Sequence, residues 1–342
     1  MKNLTEKNID NEQPQTVEGH LDAIMIDESF IDSNYKKVTV DDLPDWYDEE
    51  LFKRGQLYYN RNVLSIHIAY LIGLIAVFLI PTIAKILTFT KQTSTPCLAY
   101  KRYLQTMIHV IKLHEHDIKN SHSKFYKSLN TIRWKHSTSS KRSQENKHNG
   151  ILQKDMVLTQ FAFVGYVLLK SEKLGFTNET ADRQAFNHFW RVVGHLLGIP
   201  DRLNICRKNE FETTLLCQKI ITEISNILKD PAVEFHALTK TALQGLRAID
   251  PTFDTDVFYK IFYEIHKSEY KKEFNLYSNI IYVYRKSVIA SFRIPIVGPF
   301  SRIFWNKYVK IVNWIAENLP LIAWIKFGKT QSKIYLYPHS TI

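Results

Sequence analysis

Two groups of polar side chains, separated by thirty residues, have the types and spacing of a cofactor pocket. Arg102 and Thr106 are four positions apart, so they share one face if they lie on a helix. His136 follows thirty residues later, near Arg133 and Trp134, on what the pattern predicts to be the next helix. Together these residues would form two facing walls of a buried pocket. The spacing permits such a pocket but does not require it.

Most other catalytic and metal-binding motifs are missing from the sequence. It contains no HExxH, no glycine-rich dinucleotide or phosphate loop and no GxSxG elbow. Its one ExxH pair, Glu145 and His148, has no second copy, so a di-iron carboxylate site is not predicted. His114 and His116 would point about 200° apart on a helix, which favours a polar helix end over a shared metal ion. A single histidine beside arginine and tryptophan, as at His136, is compatible with haem, whose iron needs only one protein ligand.

The composition predicts a helical protein with a substantial core. Hydrophobic residues make up 45% of the 342 residues, which excludes wholesale disorder. Glycine and proline number 11 each, so long helices with few breaks are favoured. No repeat or alternating strand pattern is visible, and we predict an all-α fold with a single large helical domain. Cys97, Cys206 and Cys217 form no CxxC pair, which argues against disulfides or zinc and suits a reducing, intracellular compartment.

The net charge of +11 suits anionic partners. Much of the excess lies in Lys112–Lys147 and in the C-terminal third, where it would fit an anionic membrane surface or nucleic acid. No DNA- or RNA-binding motif is present, and the basic residues do not form one clean stripe, so we predict no nucleic-acid partner. A solvated basic surface and a membrane surface remain as the two interpretations.

The chain is predicted to divide into a tail, a domain and a second tail. Residues 1–40 are polar with acidic runs and little periodicity, and we expect a disordered N-terminal tail. They lack a charged segment followed by an apolar one, so no cleaved signal peptide is predicted. Residues 41–330 are predicted to form the helical domain, and residues 331–342 a C-terminal tail.

The most apolar run, Leu64–Ile80, is either a buried core helix or part of a membrane span. Its apolar core, Ile68–Ile80, has 13 residues, whereas a span needs about 20. Extension to Leu64–Ala84 gives 21 residues, interrupted by His67 and Pro81. We favour the buried helix slightly, because the segments that follow need an apolar element to pack around.

Helical periodicity elsewhere positions the candidate residues. Ala99–Lys119 and Phe125–Ser137 are predicted helices that carry the two polar groups, and Ser137–Gly150 is predicted to be a polar loop. Thr255–Arg285 is predicted to be helical throughout. Phe300–Ala323 is apolar with interleaved lysines, which is typical of either a core helix or a helix in a membrane interface.

Three blocks of sequence resemble the catalytic domain of the ER-bound oxygenase mpaB and rubber oxygenase (latex clearing protein) family. The resemblance runs from about Leu43 to Ile205. The blocks are Arg102–Thr106, then Ile132–His136, which is similar to the family's VRxxH segment, and then Asp155–Phe161 followed by Phe186–Ile199. The order and spacing of the blocks make the resemblance specific.

The resemblance implies a globin-like core around a buried haem b pocket. The VRxxH histidine, which is the family's proximal iron ligand, falls on His136, and we count Arg133 and Gln105 as further cofactor-binding residues. The family's distal arginine and threonine fall on Arg102 and Thr106, which would contact dioxygen or a haem propionate. Characterised members use haem iron and O₂ to cleave a carbon–carbon double bond in isoprenoid chains. The family name further implies association with the endoplasmic reticulum membrane.

Two positions depart from the rubber oxygenases. Gln105 stands where some of them carry a lysine as a displaceable sixth ligand, and Ile86 stands roughly where they carry an acidic residue proposed as a base. Glutamine is a poor iron ligand, so the distal site would be open or occupied by water. We predict a haem-dependent oxygenase that uses O₂ on a hydrophobic, prenyl-like or lipid-like substrate. The alternative is a catalytically silent helical protein that keeps the fold and binds a lipid or a protein partner.

Overall fold

Fourteen α-helices build the fold in the computed structural model, which describes residues 13–176 and 179–337. In chain order they are α1 (Val17–Ile26), α2 (Glu49–Arg61), α3 (Val63–Val77), α4 (Pro81–Phe89), α5 (Pro96–Glu115), α6 (Lys124–Glu145), α7 (Gln153–Leu169), α8 (Thr180–Leu196), α9 (Glu210–Ile227), α10 (Val233–Leu246), α11 (Thr255–Ile265), α12 (Leu276–Ser291), α13 (Val297–Asn318) and α14 (Leu321–Phe327). No β-strand occurs in these two ranges, and the predicted all-α class is confirmed.

The apolar helix α3 lies in the centre of the core. Its side chains are apolar nearly all round, and most of them are buried. Helix α7 crosses it closely, because a Cβ atom on Gly73 would lie 2.0 Å from the carbonyl oxygen of Ala162. Helix α3 ends at Val77, and α4 begins at Pro81. Proline lacks an N–H, but at the first position of a helix that group would have no partner within the helix. The predicted Leu64–Ala84 segment is therefore a pair of largely buried helices.

Helices α2 and α8 pack together beside this core. A Cβ atom on Gly55 would lie 2.6 Å from the carbonyl oxygen of Ala185, so the two backbones are nearly in contact. The buried carboxylate of Asp182 accepts hydrogen bonds of 2.7 Å from both Arg54 and Arg61, which fixes how the helices face each other. Within the described part of the chain, no single helix has the length and apolarity of a membrane span. Helices α2 and α3, bent by 93° at their junction, pass that criterion only when taken together.

Part of the segment predicted to be a disordered tail has a helix instead. Helix α1 lies inside residues 1–40, and its His20 side chain is completely buried. The guanidinium of Arg207 lies 3.0 Å from the His20 ring, which ties α1 to the core. Six of the ten residues of α1 are apolar, but four of them are consecutive at its end rather than spaced along one helix face, so the sequence pattern does not reveal the helix. Residues 1–12 and residues 338–342 of the two predicted tails lie outside the described residues.

Helix α6 continues to Glu145, which corrects the loop predicted at Ser137–Gly150. Ser137, Ser140 and Ser143 recur at three-residue spacing, and all three are buried on one face of this extension. Each hydroxyl binds a backbone group of a neighbouring segment: Ser137 donates to the carbonyl of Asp32 (3.1 Å), Ser140 accepts from the N–H of Ile151 (2.9 Å), and Ser143 donates to the carbonyl of Asn149 (2.7 Å). A polar helix face can thus be buried when it satisfies backbone groups, and hydrophobic periodicity does not detect that.

His114 belongs to the core, which corrects the predicted polar helix end. Its ring stacks between those of Tyr59 and Phe189, with centroid distances of 4.0 and 4.2 Å. Its Nε2 atom lies 3.1 Å from the hydroxyl oxygen of Tyr70. Burial lowers the pKa of His114 and keeps the imidazole neutral, so the residue packs as an aromatic ring.

The helix predicted at Thr255–Arg285 is two helices, α11 and α12. Lys267 adopts a left-handed backbone conformation, with φ 55°, just after α11 ends. Asn275 then caps α12 by accepting a hydrogen bond of 2.8 Å from the N–H of Ser278. These breaks depend on single polar residues, which a search for apolar periodicity overlooks.

Mild acid is expected to destabilise the fold, and His188 provides a direct test. Its Nε2 atom accepts a hydrogen bond of 3.0 Å from the backbone N–H of Asp48, which caps α2. Burial lowers its pKa from 6.5 to about 4, so between these values the unfolded chain binds more protons than the folded chain. The stability from this neutral histidine is complete above pH 6.5 and is lost as the pH falls toward 4, by about 1.4 kcal/mol per pH unit.

The measurement is urea unfolding of the wild type and of His188→Gln across that pH range. The glutamine oxygen can accept the same backbone hydrogen bond, but the amide does not titrate. We expect the free energy of unfolding of the variant to fall less steeply with acid. Equal slopes for the two proteins would show that His188 does not carry this pH dependence.

Candidate active site

A large cavity lies among helices α3 to α8. Its volume is about 1080 Å³, which matches the upper end of the range for sites that hold a cofactor or a small molecule. Most of its wall is apolar. Representative lining residues are Leu74, Val77, Val110, Met156, Phe163 and Trp190. The cavity can therefore bury much of a large hydrophobic ligand, although some of its lining residues, such as Thr106, are exposed to solvent.

Helix α5 brings Arg102, Gln105 and Thr106 to this cavity, as the sequence predicts. Thr95 caps the helix and Pro96 occupies its first position. The helix therefore begins less than two turns before Arg102, and this fixed start determines which side chains face the cavity. The hydroxyl of Thr106 donates to the carbonyl of Arg102 at 3.0 Å. Its oxygen can therefore still accept a hydrogen bond from a ligand, but it has no proton left to donate. Arg102 makes one hydrogen bond in the described residues, of 3.4 Å to the hydroxyl of Thr90 just after α4, and its guanidinium lies 6.0 Å from the centre of the Tyr103 ring.

His136 also lines the cavity, from helix α6. Its Nδ1 atom is buried and has no hydrogen-bond partner in the described part of the chain. Burial, and to a smaller extent the nearby cations Arg102 and Lys135, lowers its pKa to about 4. The imidazole is therefore neutral at pH 7, which is the form that can bind a metal through a ring nitrogen.

Arg133 is the predicted site residue that the structure does not bring to the cavity wall. Its Nη1 donates to the carbonyl of Leu196 at 2.7 Å, and its Nε donates to the carbonyl of Lys36 at 3.3 Å. Neither contact faces the cavity, and Arg133 is not among the lining residues. Its position suits an anchor between α6, the end of α8 and the N-terminal segment.

The side chain of Gln105 is held by the segment that follows α14. Its Nε2 donates to the carbonyl of Tyr335 at 2.9 Å, and its Oε1 accepts from Nζ of Lys135 at 3.3 Å. Further along, the hydroxyl of Tyr337 lies 3.3 Å from that of Ser128 on α6. The first part of the predicted C-terminal tail thus packs along the cavity, and Tyr335 lines it.

The polar part of the cavity wall is strongly positive. Burial, followed by the proximity of Arg102, lowers the pKa of Lys135, and the described hydrogen bonds of the two cations go to Gln105 and Thr90 rather than to a carboxylate. Asp155 is the one carboxyl that lines the cavity in residues 13–176 and 179–337. It accepts a 2.5 Å hydrogen bond from Thr82, and burial raises its pKa. Partly buried cations without a carboxylate partner are stabilised when an anion joins them, so this wall is suited to a ligand that carries carboxylates.

Sequence reasoning missed His109, which lines the same cavity. Burial and then Lys135 lower its pKa to about 3. The backbone of Leu336 lies near its ring, yet neither ring nitrogen makes a hydrogen bond of normal geometry within the described residues. The signal was present in the spacing, because His109 follows Thr106 by three positions and Arg102 by seven, on one helix face. His109 is thus a neutral imidazole of the cavity wall, alongside those of His136 and His67.

The fold is similar to that of a solved latex clearing protein. The structure of latex clearing protein LCP in its closed state matches 79% of this chain and 76% of that chain, with a TM-score of 0.56 and 18% sequence identity. No protein-family model matches the chain, and no curated protein sequence does. At such low identity the likeness establishes the fold alone.

This likeness supports the rubber-oxygenase part of the sequence resemblance at the level of fold. It gives no support to the ER-bound oxygenase part. No comparison tests the roles of Arg102, Gln105, Thr106, Arg133 and His136, which stay predictions. What the geometry adds is that four of these five side chains border one large cavity.

Proposed function

We propose that the chain is a haem-dependent oxidoreductase that uses O₂ on a hydrophobic substrate. One observation carries this proposal: the neutral, unbonded imidazole of His136 lies in the wall of an apolar cavity of about 1080 Å³. A neutral imidazole is a common axial ligand of haem iron, and an apolar pocket suits the porphyrin ring. The fold of a latex clearing protein adds support, since the family resembled by the sequence carries haem.

The residues present fit haem b in three respects. The cavity has room for a large planar ring, and its wall is mostly apolar. His136 offers a neutral nitrogen for the iron. Lys135 and Arg102 are cations without carboxylate partners in the described residues, so they suit the two propionates. A bound haem would supply one-electron and O₂ chemistry, which no side chain of the cavity provides.

The chain's own residues would position the reactants and control water. His136 holds its ring against the cavity without sharing Nδ1, so its orientation depends on the packing of α6. The guanidinium of Arg102 can donate to an anionic or polar oxygen in the cavity. Thr106 has committed its proton to its own helix, so it can accept a hydrogen bond but has none to donate. The apolar wall aligns a hydrophobic chain and excludes water.

The specific reaction we propose is cleavage of an isoprenoid carbon–carbon double bond, in which both atoms of O₂ end in two carbonyl groups. The sequence resemblance suggests it, and the apolar cavity accommodates such a chain. Ile86 lines the cavity at the position of the expected acid. Thr82, one turn before Ile86 on α4, donates to Asp155. Asp155 is therefore the carboxyl available to act as a base where Ile86 cannot.

A second candidate function is the binding of a lipid-like ligand without haem. Both polar ends of Gln105 are occupied, by Tyr335 and Lys135, and the Thr106 proton is committed to its helix. A pocket in which Gln105 and Thr106 already have partners suits storage or transport of an apolar ligand as well as catalysis. The presence or absence of haem separates the two candidates.

The deciding experiment is a haem titration of the purified chain, followed by absorption spectroscopy. We expect a Soret band that saturates at one haem per chain, and O₂ consumption when an isoprenoid with internal double bonds is added. Absence of the band at any haem concentration would overturn the haem proposal and leave the lipid-binding candidate. A stoichiometric band without O₂ consumption on any isoprenoid would retain haem and reject this substrate class.

A further inference from the structure

Helix α13 packs against the rest of the protein with its most apolar side facing the solvent. Its buried positions are small or polar, and they include Gly298, Asn306, Val309 and Ala316. Asn306 anchors the helix by donating to the carbonyl of Arg61 at 2.7 Å and by accepting from the N–H of Leu64 at 3.0 Å. Six of its large apolar side chains are exposed instead: Phe300, Ile303, Phe304, Ile311, Trp314 and Ile315. We call these six residues the inverted face.

The inverted face is a continuous stripe. At 100° per residue its six members fall within an arc of about 120°. Lys307 lies near the middle of that arc and is exposed, and Lys310 lies at one edge. Lys307 has no ion-pair or hydrogen-bond partner in the described residues. A solvated helix would place its charged residues here and its large apolar residues inside, so α13 has the reverse of the usual pattern.

The neighbouring helices continue the exposed apolar surface. Helix α12 buries Ser278 and Ile281, and its exposed apolar residues include Ile280 and Val283. The rings of Tyr284 on α12 and Trp305 on α13 lie 5.8 Å apart, so the two helices are in contact. Helix α14 exposes Leu321 and Ile325. Of the 26 exposed large apolar residues in the described chain, 18 lie between positions 276 and 325, so the surface is far more apolar here than elsewhere.

The charge of this region identifies what covers the surface. Between Leu276 and Lys333 the sequence has nine lysines and arginines and one acidic residue, Glu317, so most of the net charge of +11 is concentrated here. Glu317 itself forms an ion pair of 3.5 Å with Lys112. A second copy of the chain would bring like charges together across a two-fold contact. A bilayer with anionic headgroups instead takes up apolar side chains and attracts the lysines.

We propose that the inverted face of α13, with the adjoining surfaces of α12 and α14, docks onto an anionic phospholipid membrane surface. Phe300, Phe304, Ile311 and Trp314 enter the boundary between headgroups and acyl chains. Lys307 extends its ammonium to the phosphates while its methylene chain stays among the apolar residues. This docking is peripheral and goes beyond the proposed haem function, since it uses residues outside the cavity.

The test is flotation of the full chain with vesicles of phosphatidylcholine alone or with added phosphatidylserine. The wild type is expected to float with the anionic vesicles and to be released by high salt. The double variant Phe304→Glu/Trp314→Glu is expected to bind these vesicles at least about tenfold more weakly, because two apolar side chains no longer enter the membrane. Lys307→Gln is expected to bind about fivefold more weakly to anionic vesicles and unchanged to phosphatidylcholine.

Matched controls use exposed residues far from this face in sequence. Phe211→Glu/Val233→Glu replaces two exposed apolar residues of α9 and α10 and should leave flotation unchanged, as should Lys127→Gln on α6. Urea unfolding of each variant checks the fold, and Phe304→Ser serves if the double variant does not fold. Failure of the wild type to bind anionic vesicles at low salt, or equal loss in the controls, overturns the proposal. A wild-type dimer that the double variant converts to monomer, without vesicle binding, would reassign the face to contact between copies.

Discussion

The variant His136→Ala is expected to lose haem binding while its apo fold stays intact. The neutral imidazole of His136 is the proposed iron ligand, and the variant tests it against the other neutral imidazoles of the cavity wall. Loss of residues that merely orient a metal ligand costs about 10- to 100-fold in affinity, so loss of the ligand itself should cost more than about 100-fold. Haem titration followed by the Soret band measures it. Urea unfolding of the apo protein should change little, because no described hydrogen bond of His136 is removed.

Three further variants make this result specific to His136. His122→Ala removes an exposed histidine outside the cavity and should bind haem like the wild type. His109→Ala removes the other unbonded imidazole of the cavity and should keep the Soret intensity. Free imidazole added to His136→Gly should restore the band by occupying the vacated space. If His109→Ala loses the band and His136→Ala keeps it, the iron ligand is His109 and the assignment from the sequence is wrong.

The acid limit of haem binding gives an independent check on the same residue. A ligand histidine with an ordinary pKa begins to compete for protons below about pH 6.5. Burial lowers the pKa of free His136 to about 4, so haem affinity should be retained down to that region before protonation reduces it. The stability of the fold falls over the same range because of residues such as His188, so affinity must be compared at pH values where the apo protein is folded.

The helices and the two polar groups could be predicted from the sequence because apolar periodicity marks helix faces. Arg102 and Thr106 share a face of α5 at the predicted spacing, and His136 follows on α6. Low glycine and proline content predicted the all-α class for the same reason, since few residues interrupt a helix. The apolar run around α3 predicted a core element, and its burial follows from having no polar side.

The contacts that complete the candidate site could not be predicted from the sequence, because they join residues that are distant in the chain. Gln105 meets Tyr335 across 230 positions, and no local pattern encodes that contact. Arg133 lies three positions before His136 and would share its face on an ideal helix, but its long side chain reaches the carbonyl of Leu196 instead. The buried serine face of α6 failed as a prediction in a related way, since hydroxyls that bind backbone groups look like loop residues in sequence.

The variant Lys135→Met is expected to stabilise the apo protein and to weaken haem binding. Lys135 lies in the cavity wall beside Arg102, burial lowers its pKa, and no carboxylate in the described residues pairs with it. Replacing an uncompensated, partly buried cation by an apolar side chain of similar length should raise the free energy of unfolding by about 1 kcal/mol. The propionates would lose a charge-assisted partner worth about 1.5–3 kcal/mol, which is roughly a ten- to hundredfold loss of affinity. Urea unfolding and haem titration measure the two effects.

The opposite signs of these two effects distinguish an anion site from a structural lysine. A lysine that only supports the fold through its contact with Gln105 would lose stability and affinity together when replaced. Lys127→Met, at an exposed position of α6, controls for the loss of one positive charge and should change neither quantity. Haem dimethyl ester, whose propionates are neutral, should bind the wild type and Lys135→Met equally, because the lysine then has no carboxylate to attract. If the ester shows the same loss as haem, Lys135 acts through packing, and the positive wall of the cavity is not a carboxylate site.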